Sequence, residues 1–353
     1  MKNTEDNIKV TLIKEKQLWQ QTLSQMAGYD FYQTFDYHEL SKLNDESSVL
    51  IKYQEGDTII CLPLIIRPIK GTPFFDATSV YGYAGPLKNT IDTDFDNIQF
   101  KKHLNAFLIK ENIISVFSRL HPFIENQDNI LENIGTIKAL GKVVYLDLKD
   151  TFETQELAFS NTTKRYLRKA QKTLDIKKSS SVKSLEAFID LYYENMDRVN
   201  AHKNYYFSKD YFLSFLHSDE FETDVVYAVD KETNKTISAA LIIKTNKIIQ
   251  YHLSGTNKDY LGLSPLRALL NKVRLDYSGA NYSYFNLGGG LKNKQDSLFH
   301  FKSSLSKHYK PFKIWTYIVN EEVYNTLVLN KNFSKDAISD FFPLYRWEEK
   351  SDT

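Results

Sequence analysis

A repeated order of elements constrains this chain more than any other feature. In the first half, Ser48-Val49-Leu50-Ile51-Lys52-Tyr53 is followed by the turn Glu55-Gly56-Asp57 and then by Thr58-Ile59-Ile60-Cys61-Leu62-Pro63-Leu64-Ile65-Ile66-Arg67. In the second half, Asp224-Val225-Val226-Tyr227-Ala228-Val229 is followed by turn-rich residues 230–234 and then by Thr236-Ile237-Ser238-Ala239-Ala240-Leu241-Ile242-Ile243-Lys244. Two β-branched runs joined by a polar turn predict a hairpin. A Tyr-rich segment follows each hairpin, residues 80–86 and 250–256. An amphipathic helical run comes next, residues 95–110 and 265–273, the second opening on Pro265, which a first helical turn tolerates. A short strand then closes each half, residues 113–120 and 282–287. Helical patterns precede both hairpins, at residues 18–43 and 184–198. Each half therefore reads helix, hairpin, strand, helix, strand, an α+β order around a mixed sheet. With 353 residues, beyond the roughly 250–300 at which single cores stop growing, the chain is expected to form two domains. The expected boundary is near Asp150, giving residues 1–150 and 151–353.

Charge and cysteine usage narrow the function classes. Lys and Arg nearly balance Asp and Glu, for a net charge of +1, so an anionic ligand has to be held by a local basic patch and DNA is not an expected partner. The single cysteine, Cys61, rules out a disulfide within the chain and a two-cysteine metal site. The eight histidines show no metal spacing, and no metal is expected. Residues 1–6 are polar and acidic where a signal peptide would be basic and then apolar. No apolar run approaches the roughly 20 residues that span a bilayer. A cytoplasmic location without a transmembrane segment is the expectation. There is no phosphate-binding Gly-x-x-x-x-Gly-Lys-Ser/Thr loop, no Gly-x-Ser-x-Gly elbow and no His-Glu-x-x-His pair.

Four segments carry a resemblance. They are Tyr81-Gly82-Tyr83-Ala84-Gly85-Pro86, then Ser118-Arg119-Leu120-His121-Pro122, then Tyr166-Leu167-Arg168-Lys169-Ala170-Gln171-Lys172, and finally Leu287-Gly288-Gly289-Gly290 with Asp296-Ser297-Leu298-Phe299-His300-Phe301-Lys302. In order and content they resemble motifs of the FemAB-type transferases, which carry two tandem copies of the GNAT (acyl-CoA N-acyltransferase) fold, each a mixed sheet flanked by helices. The resemblance implies acyl transfer to an amine in peptidoglycan or other cell-wall and polysaccharide biosynthesis. The acceptor would be a small or nucleotide-linked amine. Acyl-CoA is the first expected donor, and aminoacyl-tRNA, as in peptidoglycan bridge formation, is the alternative. A non-catalytic binding protein of the same fold is the reading from a different class.

Several residues gain chemical meaning in that light. An amine attacking an ester or thioester builds charge on the carbonyl oxygen, which a fixed cation stabilises; Lys302 is the first candidate, and Phe301 precedes it. Gly288, Gly289 and Gly290 permit close backbone approach to a ligand, and Asp296 suits the N-cap of the helix that follows. Residues 255–265 lie between a strand and a helix, where the superfamily loop cradles a pyrophosphate. Gly262 and Ser264 fit that loop, whereas Asp259 replaces its Arg or Gln and weakens the case for coenzyme A. Tyr251 could donate a proton or a hydrogen bond. Lys164, Arg165, Arg168, Lys169 and Lys172 make a basic helix whose like-charged i,i+4 pairs an anion would relieve. In the first half the resemblance places Gln33, Tyr37 and Lys42 on an acceptor-side helix, makes Lys42, Tyr83 and Arg119 candidate binding residues, and has Arg119 with His121 support the cleft expected across the two domains. Catalysis is expected in the C-terminal copy and acceptor shaping in the N-terminal one.

Overall fold

The computed structural model describes residues 8–91, 95–331 and 341–347; residues 1–6 lie outside that set. In chain order the first elements are β1 (Ile8–Ile13), α1 (Lys16–Leu23), α2 (Phe35–Ser41), β2 (Ser47–Glu55), β3 (Thr58–Pro68), β4 (Phe75–Thr78), β5 (Leu87–Lys88), α3 (Ile98–Lys110), β6 (Ile113–Arg119), α4 (Gln127–Ile130) and β7 (Thr136–Asp147). Then come α5 (Phe152–Leu157), α6 (Asn161–Thr173), β8 (Leu174–Ser179), α7 (Val182–Arg198), α8 (Lys209–His217), β9 (Glu222–Asp230), β10 (Thr236–Thr245), β11 (Ile248–Thr256), α9 (Pro265–Tyr277), β12 (Tyr284–Gly288), α10 (Ser297–Ser303), β13 (His308–Ile318) and α11 (Glu321–Leu329).

Two compact units result, and they differ from a contiguous cut near Asp150. Unit 1 is Met1–Leu140 with Phe312–Thr353, and unit 2 is Gly141–Pro311. The chain leaves unit 1 within β7 and returns within β13. The physical reason is strand completion. In unit 2, Val144, Tyr145, Leu146 and Asp147 of β7 pair antiparallel with β12. In unit 1, residues 314–318 of β13 pair antiparallel with β6. Each unit thus takes its last strand from a part of the chain that a linear reading gives to the other half.

The repeat itself is present in the topology. In unit 1, β1, β2, β3 and β4 pair antiparallel in sequence and β4 then pairs parallel with β6. In unit 2, β8, β9, β10 and β11 pair antiparallel in sequence and β11 then pairs parallel with β12. Strand β10 is buried along nearly its whole length, as a strand covered on both faces must be. One face meets α9 in the core of Ala240, Ile242, Leu269, Val273 and Phe285. Helix α7 lies directly on β11, since a Cβ on Gly255 would come within 2.3 Å of the Leu191 backbone. In unit 1, Val49, Ile51, Leu62 and Leu64 of the hairpin pack with Phe100, Leu104 and Leu108 of α3 and with Trp315 of β13.

Two local expectations are corrected. The helical pattern over residues 18–43 is two helices. Between them, Asp30 takes the Phe31 amide and the Gln33 side chain closes a capping box on the turn Phe31–Gln33; these local side-chain bonds compete with helix continuation. The Tyr-rich segment 80–86 is also not the partner of β11. That place belongs to β4, and residues 81–86 form a loop. Among the described residues no helix is long and apolar enough to cross a membrane. No group of three His, Cys, Asp or Glu among them could hold a metal ion.

Candidate functional site

The candidate site of unit 2 is a fork between two parallel strands. β11 and β12 pair only through Ile248 with Tyr284, Ile249 with Phe285 and Gln250 with Asn286. Beyond that rung β11 runs on to Thr256 along β10, while β12 ends at Gly288. At the rung the Asn286 side-chain amide donates to Gln250 Oε1 at 2.8 Å. Immediately past it, β11 carries a bulge: Ile242 faces Tyr251 and Leu241 faces Leu253, so His252 has no opposite residue on β10. The bulge separates the directions of neighbouring side chains. The His252 ring packs against Phe215, and burial pushes its pKa down to about 3, so it is neutral at pH 7.

Lys302 lies at the fork. It is 7% exposed, its Nζ donates to the Gly289 carbonyl at 2.7 Å, and the ammonium lies 5.7 Å from the centre of the Tyr251 ring. Burial pushes its pKa down to about 8, with Asp296 opposing. It is still mostly a cation at pH 7. An ammonium has three protons, so the bond to Gly289 orients it and leaves donors for an oxyanion. Helix α10 delivers Lys302 from a fixed start: Asp296 accepts the Phe299 amide at 2.9 Å and the Leu291 amide at 3.0 Å. That is the capping role expected of Asp296. Backbone hydrogen bonding holds its carboxyl below the usual range. The Tyr251 hydroxyl bonds that of Ser254, and burial raises its pKa to about 12, so it remains a phenol at neutral pH.

The three glycines differ in their reasons. Gly288 has φ +78°, a conformation L side chains rarely adopt. A Cβ on Gly290 would come within 2.0 Å of the Lys294 carbonyl oxygen and 2.5 Å of Asp296 Oδ1. On Gly289 it would meet only the Lys142 carbonyl, at 3.0 Å.

The turn that leads into the helix after the fork is tied to α7. The Lys258 amide and the Asn257 side-chain amide donate to the Glu194 carboxylate at 2.9 and 3.1 Å. The Asp259 amide donates to Asn257 Oδ1 at 3.0 Å. Glu194, which α7 supplies, thus anchors the two residues just ahead of the segment 259–264. Gly262 has open space around it. Ser264 has φ +48°, and its hydroxyl is bonded by Arg267.

Arg267 is the residue that sequence reasoning missed. Its guanidinium lies 4.7 Å from the Phe301 ring centre and 5.3 Å from that of Tyr166. It also donates to the Thr163 hydroxyl at 3.3 Å. Among the described residues no carboxylate pairs with it, and burial lowers its pKa. It joins the Phe301-Lys302 end of α10 to α6. On α6, Arg165, Arg168, Lys169 and Lys172 are exposed and have no ion pair among the described residues. Asn286 and Gln250 were missed as well, because a single amide in a strand gives no sequence signal.

Unit 1 gathers its expected residues differently. A Cβ on Gly82 (φ +121°) would fall 2.0 Å from the Tyr32 ring, and on Gly85 (φ +88°) 2.6 Å from the Gln127 amide. The Tyr-Gly-Tyr-x-Gly-Pro loop is therefore fixed by packing. Tyr83 meets Tyr32, His121 and Phe312 edge-to-face, with centroids 5.6–6.1 Å apart. The Arg119 guanidinium lies over Tyr81 and Phe117. His121 is buried; its Nδ1 accepts from the Phe123 amide, so Nε2 carries the proton and donates to Asp30 at 3.0 Å. Gln33 donates to the Ala84 carbonyl, the Tyr37 hydroxyl donates to the Tyr81 carbonyl, and Lys42 pairs with Glu39 at 2.8 Å.

No protein-family model matches the chain, and no curated protein sequence matches it. Solved structures do. FemX is 12% identical with a TM-score of 0.67, over 90% of this chain and 99% of that one. L-PGS from Bacillus licheniformis is 13% identical at 0.56, over 90% and 96%. A tandem GNAT protein from the clavulanic acid biosynthesis pathway is 10% identical at 0.50, over 89% and 99%. At such identities the likeness is one of fold, and it agrees with the duplicated topology: this chain has the FemAB-like tandem GNAT fold.

Proposed function

We propose that this chain is a transferase that moves an acyl group to an amine, with the reaction at the β11–β12 fork. The observation that carries the reading is Lys302, a buried cation aimed by the Gly289 carbonyl into the fork. When the amine attacks, the carbonyl carbon becomes tetrahedral and its oxygen negative. A fixed ammonium in a dry site stabilises that charge without reorganising. The Tyr251 phenol, protonated at neutral pH, is a donor for the departing oxygen or sulfur. Collapse breaks the bond to the carrier and leaves the amide, and the proton the nitrogen gives up replaces the one that Tyr251 passed to the departing oxygen or sulfur.

For the donor, the arrangement supports an aminoacyl ester on tRNA over an acyl-CoA thioester. Asp259 stands where a pyrophosphate loop carries Arg or Gln, whereas Arg267 and the unpaired cations of α6 suit a longer phosphate backbone. The acyl-CoA reading keeps one point in its favour, the tandem GNAT likeness, since that protein's description refers to acetyl-CoA. The acceptor on this reading is the amine of a cell-envelope precursor. Titration calorimetry with acetyl-CoA and longer acyl-CoAs, set beside filter binding of charged tRNA, separates the donors. Micromolar acyl-CoA binding with no tRNA binding would reverse the donor assignment. Binding of envelope precursors without turnover on any donor would favour the non-catalytic reading.

A further inference from the structure

Among the described buried groups, Asn286 asks for an explanation that packing does not give. It is 1% exposed and lies on β12 opposite Gln250, also 1% exposed. Two apolar side chains would fill that rung without needing partners. The amide orientation is fixed by chemistry. Gly288 N–H, a donor, lies 2.9 Å from the side-chain oxygen of Asn286, so the nitrogen must face Gln250, where it donates to Oε1 at 2.8 Å. Gly288 has left-handed backbone, and its amide is held by Asn286. The next residue, Gly289, presents the carbonyl that receives Lys302.

We infer that Asn286 is a positioning residue: braced by Gln250, its side chain sets the turn at Gly288 so that the Gly289 carbonyl aims the Lys302 ammonium across the fork. The purpose of this device rests on the acyl-transfer reading, but its geometry does not. Side-chain oxygen and nitrogen have separate tasks. The oxygen holds the turn, and the nitrogen ties that oxygen to the last paired rung. An aspartate keeps both tasks: one oxygen accepts the Gly288 amide, and the other accepts from the Gln250 side chain once that amide turns its nitrogen inward.

Competitive acetylation with acetic anhydride on the full-length protein, read by peptide mass spectrometry, tests this without a substrate. The exposed Lys169 is the internal reference, and Lys302→Arg verifies the peptide. In the wild-type protein Lys302 is expected to label slowly, because it is 7% exposed. Asn286→Leu is expected to raise its relative labelling about tenfold, the scale of a lost buried hydrogen bond, while Asn286→Asp stays within about twofold of wild type. Wild-type labelling in Asn286→Leu overturns the inference. So does an equal rise in both variants, which would signal general loosening. Should Asn286→Leu not fold, Gln250→Met takes its place, with a severalfold rise expected and wild-type labelling overturning the inference. If Lys302→Ala keeps full turnover while the labelling behaves as expected, the positioning stands and the acyl-transfer reading falls.

Discussion

The two units share one strand order but treat their parallel pair in opposite ways. In unit 1 the strands β4 and β6 are stitched together past their last rungs. Ser79 N–H bonds the Phe117 carbonyl, the Arg119 amide bonds the Ser79 hydroxyl, and Ala84 N–H bonds the Arg119 carbonyl; Ala84 then bridges Leu120. The Tyr-Gly-Tyr-x-Gly-Pro loop fills the gap, and Asp30 and His121 are buried beneath it. In unit 2 the pairing stops at Gln250 and Asn286, and a lone buried cation stands in the opening. The same topology gives a closed fork in one copy and one whose pairing stops early in the other. Backbone groups explain the difference: an open fork leaves amides and carbonyls without ladder partners, and unit 2 answers with Asn286 and Lys302 where unit 1 answers with a loop.

Several changes would break or sharpen that contrast. The largest effect belongs to Lys302→Ala, which should lower turnover by roughly 10²–10³-fold with the fold intact; wild-type turnover would remove Lys302 from the chemistry. In unit 1, His121→Leu should cost about 3 kcal/mol of stability by leaving the buried Asp30 carboxylate without its imidazole donor. Urea denaturation measures it, and turnover below the melting range should persist. A loss of turnover without loss of stability would make unit 1 reactive and end the contrast.

Lys302→Met sharpens it from the stability side. The folded pKa of Lys302, about 8, lies below its unfolded value near 10.5. The unfolded chain therefore binds more protons between those values, and wild-type stability climbs with pH across that window. Below it the burial penalty is fully present, about 3 kcal/mol for such a shift, less about 1 kcal/mol for the bond to Gly289. Lys302→Met should then melt higher than wild type at pH 7, with the gap closing toward pH 10.5. A gap that does not change with pH would show that Lys302 is not a buried cation.

A smaller effect is expected on α6. Reversing Arg168 and Lys169 to Glu should weaken tRNA binding and flatten its salt dependence by about one unit of slope per lost phosphate contact. Unchanged binding would return the helix to an ordinary solvated face. Smallest of all, Gly262→Ala should shift stability by no more than about 0.5 kcal/mol, because nothing surrounds its Cβ position.

The sequence by itself determined the local order. Hairpins, helices and the Asp296 cap are set by periodicity, turn residues and side-chain bonds within a few positions, so the α+β repeat and the Gly288–Lys302 segment were legible from residue types alone. Only the tertiary structure decided which strand completes which unit, because β7 and β13 read as ordinary strands wherever they pair. It also decided that one fork opens and the other closes. That outcome rests on a bulge at His252, a bond from Asn286 to a backbone amide two residues away, a brace from Gln250 on another strand, and an arginine, Arg267, that leaves its own helix to lie between Phe301 and Tyr166. Such contacts join residues distant in sequence, and they leave no periodic trace along the chain.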